Sequence, residues 1–317
     1  HRNQGFHSTG TIGTFASGIT VAKLLKLDLN QTIATLGLCG TQSSGLLESD
    51  HKGTMGKQLH PGRAVSNGIL SGYLAKNGFT GPESIIDGDE GFLKAMAQKY
   101  SDDLDNKLKN DKNYLKNHLN NELGKFHINE VYFKKYPFCR HLHSSIDSTL
   151  AIKDKWMSEK VFNTENIKEI IIETYKIASE HNNISLKSKE DLKQSLPYAI
   201  AIAILYDDFN LETIDNIDFN SNEFKNILNK VIIKENKEFN DLTPNYRPSK
   251  TIIKTTNGIY EYSVKLPKGE SENPYSKEDI LKKFKSLNPD FDLENLKFIN
   301  NLESSNIRFF MNIFNQQ

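Results

Sequence analysis

The sequence predicts an α+β fold in which one large, discontinuous, all-helical domain is interrupted by a smaller α+β domain. Three observations lead there. Residues 10 to 98 carry apolar runs rich in Gly, Ala, Ser and Thr, with no strand-like alternation. β-Branched and alternating segments are confined to 167–176 and 251–265, and after residue 275 the helical pattern returns. The expected boundaries are 1–130 for the first helical part, 131–274 for the α+β insert and 275–317 for the return to the helical domain.

Taken in order, GTIGTFASGITVAKLLK (10–26) reads as a helix that is apolar on most sides and buried between others, with Gly and Ala permitting close backbone approach. NQTIATLGLCGTQSSGLL (30–47) is a second helix with Asn30 as its N-cap. RAVSNGILSGYLAKNG (63–78) is a third, stopped at Asn77-Gly78. GPESIIDGDEGFLKAMAQKY (81–100) begins another helix after Pro82. The Asn/Lys/Asp-rich stretch 99–123 reads as a solvated surface helix or long loop rather than a functional charge tract. IKEIIIETYK (167–176) is a strand. KQSLPYAIAIAILYDD (193–208) is a buried helix beginning near Pro197. TIIKTTNGIYEYSVK (251–265) is a hairpin about Asn257-Gly258, a pair suited to a type I′ turn. Ser276 caps the helix KEDILKKFKSL (277–287).

Composition narrows the function classes. Of 317 residues, 37% are hydrophobic and 25% charged, a globular balance. Lys+Arg and Asp+Glu both number 40, so no overall field steers the chain to nucleic acid or an anionic membrane. No apolar run reaches the ~18 residues of a membrane span. The two cysteines, Cys39 and Cys139, argue against a disulfide framework and fit a reducing, cytoplasmic setting.

Three segments gather groups that could carry chemistry. Gly5-Phe6-His7-Ser8-Thr9-Gly10 precedes the first helix, where backbone N–H groups and the hydroxyl of Thr9 can hold an anion. GTMGKQLHPGRA (53–64) places Lys57, His60 and Arg63 three residues apart, on one side if the turn is helical. Arg grips a carboxylate as a planar fork, Lys as a point charge, and His moves a proton near neutral pH. KKYPFCRHLH (134–143) brings Lys134, Arg140 and His143 to the expected domain boundary, where pockets form. Zinc from Cys139, His141 and His143 is disfavoured, because no second ligand pair with zinc spacing exists. Phosphate-loop, GxGxxG and GxSxG signatures are absent from the sequence. Bases and anion binders are thus expected without a cofactor and without a metal.

The segments GFHSTGTIGTF, GTMGKQLHPGRA, NGFTGPESIIDGDEGFL, KKYPFCRHLH, QSLPYAIA and PKGESENPYS, in this order, resemble the MmgE/PrpD family. That family includes 2-methylcitrate dehydratase, cis-aconitate decarboxylase and iminodisuccinate epimerase. The resemblance implies a helical domain built from both ends of the chain and an inserted α+β lid. It further implies cofactor-free acid–base chemistry on small polycarboxylates in a homodimer. By motif, His7, Lys57 with His60, Lys134 and Tyr198 fall on the family's catalytic positions. Arg63, Arg140, Thr9 and His143 would bind the substrate's carboxylates. Two departures matter. Cys139 stands where cis-aconitate decarboxylase has a histidine, and LHPGRA differs from the corresponding segment of 2-methylcitrate dehydratases. The resemblance also implies that the family's N-terminal third is lacking here and could come from a separate polypeptide. The activity expected is a lyase, a dehydratase or decarboxylase, acting on a di- or tricarboxylate by α-proton abstraction. The alternatives are an isomerase or epimerase of a dicarboxylate, and a truncated, inactive paralogue or subunit of a split enzyme.

Overall fold

The computed structural model describes residues 1–51, 53–158, 163–207 and 210–296. The chain forms two compact units, one of residues 1–126 with 180–202, the other of 127–179 with the residues from 203 onward. The first is helical and discontinuous and the second carries the sheet, which is the α+β class expected.

In the first unit, α1 (Ser8–Leu24), α2 (Leu29–Gln42) and α3 (Gly56–Lys76) pack on one another. Their small residues set the approach. A Cβ at Gly18 would lie 2.3 Å from Cys39 Sγ, and one at Gly68 would lie 2.5 Å from Ser17 Cβ. The buried side of α1 is Thr11, Thr14, Gly18 and Ala22, whereas Ile12 and Ile19 are exposed. The helices therefore meet through their small and hydroxylated residues and turn part of their larger apolar bulk outward. That differs from the all-round burial expected of α1.

Two helix starts also differ from expectation. α2 is capped by Asp28, whose carboxylate accepts from Gln31 N while the Gln31 side chain accepts from Asp28 N. This reciprocal pair satisfies two of the helix's unpaired N–H groups, and Asn30 falls inside the first turn. α3 begins at Gly56, upstream of the expected start, and ends as expected, with Asn77 as C-cap and Gly78 at φ 87°. After Pro82 the chain forms turns, with Gly88 N bonded to Ser84 O and Gly91 N to Gly88 O, before a single short helix at Phe92–Met96. Ser, Asp and Gly favour such turns over a helix. Residues 99–123 lie in the solvated helices α4 (Gln98–Asn110) and α5 (Tyr114–Glu122), where Ser101 is buried in α4 and no residue of α5 is.

The second unit contains α6 (His143–Ser158) and a four-stranded sheet of order β2-β1-β3-β4. Its strands are β1 (Ile167–Thr174), β2 (Val231–Glu235), β3 (Ser249–Thr255) and β4 (Ile259–Val264). β2 runs parallel to β1, whereas the β1–β3 and β3–β4 pairs are antiparallel. α6 meets β3 through a hydroxyl seam, Ser145–Ser249 at 2.8 Å and Ser148–Thr251 at 2.6 Å. Trp156 stands edge-on to Tyr260 with centroids 4.4 Å apart. The β3–β4 hairpin is where expected, but neither Asn257 nor Gly258 adopts the positive φ that a type I′ turn needs. Instead the Thr255 hydroxyl oxygen accepts from both Asn257 N and Gly258 N, and Thr255 N donates to Gly258 O.

Parallel strands need a long crossover, and here the connection from β1 to β2 visits the first unit at 180–202 before returning. Ser188 anchors that visit by donating to Gly53 O at 2.7 Å. α7 (Leu196–Leu205) follows, with Ala199, Ile200, Ala201, Ile202, Ala203 and Ile204 all at 0% exposure. α8 (Lys277–Leu287) is capped by Ser276 as expected, in a reciprocal box with Asp279. Its Lys283 donates to Lys134 O within the second unit. This division thus differs from the expected 1–130, 131–274 and 275–317: residues 180–202 join the first unit and α8 belongs to the second. Of the expected return segment, residues 297–317 lie outside the described residues.

Candidate functional site

Nine residues were expected at the site, and the structure distributes them over both units. His7, Thr9, Lys57, His60, Arg63 and Tyr198 belong to the first, and Lys134, Arg140 and His143 to the second.

In the first unit the chain brings two imidazoles together. His7 is the N-cap residue of α1, in extended conformation. Its backbone is held by a short antiparallel bridge, Phe6 with Leu46, in which His7 N donates to Gly45 O and Leu47 N donates to Gly5 O. Ser43 Oγ fastens the same loop to Thr11 O. Glycine is required where loop and helix touch, since a Cβ at Gly10 would lie 2.2 Å from Ser44 O. Gly45, at φ 146°, lies beside the His60 ring, which its Cβ would meet at 3.4 Å. His60 comes from the second turn of α3, and its Nδ1 lies 2.7 Å from His7 Nδ1. Both rings are half-buried.

Two Nδ1 atoms at that separation share one proton, so one ring donates and the other accepts. Proton exchange with a bound molecule then runs through the Nε2 atoms, one bearing hydrogen and the other a lone pair while both rings are neutral. A proton taken up at one Nε2 can move across the Nδ1–Nδ1 contact and appear on the other ring. Such an arrangement can pass a proton between the rings as well as take one up.

Lys57 sits one turn before His60 and Arg63 one turn after it, and each step of three residues rotates by about 60° around the helix. Lys57 lines a hollow of about 50 Å³ with Gly53, Thr54, Gln58, Glu190 and Gln194, a space for water rather than for a tricarboxylate. Arg63 and Thr9 are exposed. Tyr198 is buried, donates to Ile184 O at 3.4 Å, and burial pushes its phenol above the ordinary range.

The second unit holds a different cluster. Arg140, 4% exposed, pairs with Glu270, its Nη2 2.7 Å and its Nε 3.2 Å from Oε1. Arg247 Nη1 reaches the same oxygen at 2.8 Å, and the Arg140 guanidinium stacks 4.6 Å from the Tyr132 ring centroid. Arg140 Nη1 donates to His143 Nδ1 at 3.1 Å, and the opposite nitrogen of His143 donates to Phe138 O at 3.4 Å. His143 is wholly buried. Burial, and next the Arg140 charge, hold it well below the ordinary histidine range, so it is a neutral strut. His141 Nδ1 meets the buried Tyr175 hydroxyl at 2.6 Å, and burial raises that phenol. Lys134 is exposed and its carbonyl accepts from Lys283.

The expected grouping of Arg140 with His143 is seen as a direct bond, whereas the His7–His60 contact and the partners Glu270, Arg247 and Tyr175 were not expected. Glu270 and Arg247 lie more than a hundred residues from Arg140, and no local spacing links them. Among the described residues no three His, Cys, Asp or Glu side chains are grouped so as to hold a metal ion.

Comparison with known families decides the chain's kinship. The MmgE/PrpD C-terminal domain matches residues 136–295, and the MmgE/PrpD N-terminal domain matches residues 1–105. The chain belongs to the MmgE/PrpD family. The match at 1–105 also corrects an expectation, because the family's N-terminal domain is present rather than lacking. This MmgE/PrpD chain is 24% identical to a cis-aconitate decarboxylase of Aspergillus terreus over 296 residues, 90% of this chain and 58% of that protein. It is 22% identical to the cis-aconitate decarboxylase of Homo sapiens, over 94% of this chain and 60% of that protein. For the Mus musculus enzyme the identity is 19%, over 89% and 55%. The chain therefore spans a little under two thirds of the length of these relatives.

Proposed function

We propose that this protein is a lyase that moves a proton at the carbon beside a carboxylate of a small di- or tricarboxylate, in a dehydration or a decarboxylation. The observation that carries the reading is the 2.7 Å contact between His7 and His60. Family membership and the names of the relatives supply the substrate class. In a dehydration, one Nε2 takes the α-proton, the electron pair forms the new double bond and hydroxide leaves from the next carbon with a proton. In a decarboxylation, carbon dioxide leaves and the carbanion takes a proton from the same relay. Lys57, one turn before His60, offsets the enolate-like charge. Within the same unit, Arg63, Thr9 and Tyr198 remain the candidates for holding and protonating the substrate, whereas Lys134 belongs to the other unit and is assigned no role. Arg140 and His143 are assigned to support instead, since Glu270 neutralises the first and burial seals the second. The working species is read as a homodimer in a reducing cytoplasm. Exposed Ile12, Ile19, Val65 and Ile69 support association, and a content of two cysteines in 317 residues fits a reducing setting.

The test incubates the protein in heavy water with citrate, 2-methylcitrate, cis-aconitate or iminodisuccinate, following alkene absorbance and proton exchange by NMR. One of the first three should turn over. His7→Gln and His60→Gln should each lose about a hundredfold or more of the rate with an unchanged thermal midpoint. Exchange at a stereocentre of iminodisuccinate without bond cleavage would establish the epimerase instead. Full activity in both histidine variants would overturn the assignment.

A further inference from the structure

Asparagine is followed by glycine at three places in the chain, Asn67-Gly68, Asn77-Gly78 and Asn257-Gly258. In this dipeptide the glycine nitrogen carries no Cβ beside it to hinder attack on the asparagine side-chain carbonyl. The dipeptide itself is the same at each place, so the fold decides which of the three can react.

Two of them are restrained. Asn67 and Gly68 lie inside α3, and Asn67, 5% exposed, donates from Nδ2 to Gln42 O at 3.1 Å. Gly68 is pressed against α1, where a Cβ would lie 2.5 Å from Ser17 Cβ. At the end of α3, Asn77 Nδ2 donates to Tyr73 O at 2.8 Å and Gly78 N donates to Ala75 O at 3.0 Å. Backbone carbonyls of the helix thus hold both the side-chain amide and the attacking nitrogen.

The third pair stands differently. Residues 256–259 form the exposed turn between β3 and β4, and β4 closes the sheet at its edge. Asn257 Oδ1 accepts from the hydroxyl of its neighbour Thr256 at 3.2 Å, and Gly258 N donates to the Thr255 hydroxyl oxygen at 3.1 Å. Water can replace both of these partners at little net cost. A Cβ at Gly258 would meet nothing within 4 Å, so the surroundings leave the turn room to rearrange.

We propose that Asn257 is a site of self-modification, at which the folded protein converts this asparagine to isoaspartate and aspartate while Asn67 and Asn77 persist. Gly258 N gives up its proton and bonds to Asn257 Cγ, the bond from Cγ to Nδ2 breaks, and ammonia leaves from a five-membered imide. Water then opens the imide at one carbonyl or the other, restoring the Gly258 N–H and adding a carboxylate. Opening at the backbone carbonyl routes the chain through Cβ and Cγ, so the turn gains one backbone carbon as well as a charge.

The experiment incubates the full chain at mildly alkaline pH, folded or unfolded in urea. Peptide mapping follows the mass gain of an amide turning to an acid, with fragmentation that separates isoaspartate from aspartate. In the folded chain Asn257 alone of the three should convert, and faster as pH rises. In urea all three should convert at comparable rates. Gly258→Ala should fold with an unchanged thermal midpoint, since the φ of Gly258 is not positive and the added methyl has room. It should slow the conversion by about tenfold or more, equivalent to about 1.4 kcal/mol in the barrier. Asn67 or Asn77 converting in the folded chain as fast as Asn257, Asn257 persisting there while it converts in urea, or an unchanged rate in Gly258→Ala would overturn the proposal.

Discussion

Replacing Glu270 by alanine would expose how the second unit tolerates its buried guanidinium. One carboxylate oxygen faces Arg140 at 2.7 Å and Arg247 at 2.8 Å, and the Arg140 side chain is only 5% exposed. Without Glu270, Arg140 keeps its stacking on Tyr132 and its bond to neutral His143 but loses its counter-charge. Breaking a buried pair from one side costs about 3–5 kcal/mol, chiefly because the remaining charge is stranded. Arg247, with 24% of its side chain exposed, can turn to water and contributes little. For a folding unit of 150–250 residues each kcal/mol is about 2–4 °C, so the midpoint should fall by about 6–20 °C. Trp156 is the single tryptophan and lies in this unit at 2% exposure, so its fluorescence follows the transition directly. Arg140→Met combined with Glu270→Leu should regain most of the loss, because apolar replacement of both partners is often neutral. A shift below about 2 °C for Glu270→Ala, or the same shift in an Arg140→Met background, would refute the reasoning.

Three further outcomes are expected. His143 is held neutral in the fold, with its proton affinity below that of the unfolded chain. Below about pH 6.5 the unfolded state therefore binds a proton that the native state refuses, and stability falls as pH drops, by up to about 1.4 kcal/mol per pH unit. Urea unfolding between about pH 5 and 6.5 should show that slope flattened in His143→Gln, and an unaltered slope would contradict it. Gly10→Ala drives a methyl into the Ser44 carbonyl, so the melting temperature should fall by the equivalent of about 1–3 kcal/mol and turnover should fall with it. Unchanged melting would show that the loop can yield. Lys57→Ala should abolish turnover while moving stability by less than about 0.5 kcal/mol, and an active variant removes Lys57 from the mechanism.

Where the sequence was legible, the determinants were local. The stop at Asn77-Gly78, the Ser276 cap and the β-branched run at 167–174 each depend on residues within a turn of one another. Asn30 misled because Asp28 stood two residues earlier with Gln31 at the reciprocal position. The Asn257-Gly258 pair misled because Thr255 supplied the turn's acceptor itself. The site divided in the same way. Lys57, His60 and Arg63 follow helical spacing and could be grouped from the text alone. The His7–His60 contact spans 53 positions and is set by the backbone of the 43–47 loop, which no side-chain pattern announces. Arg140 looked like a substrate anchor because its neutralising partner is 130 positions away.

The interleaving of the two units has a consequence for the order in which a nascent chain can fold. Residues 1–126 emerge first, yet the piece that completes their unit, 180–202, follows only after α6 and β1 have been made. β1 must in turn wait for β2 at 231 and β3 at 249 before it has neighbours on both sides. Neither unit is finished when the other starts, so no ribosome pause before residue 202 releases a closed body. During that interval the Gly53 carbonyl lacks Ser188, and the first unit lacks its segment 180–202. Slow, non-local closure of this kind lengthens exposure to aggregation. Synthesis rate and chaperone supply should accordingly govern soluble yield more than the final stability of either unit.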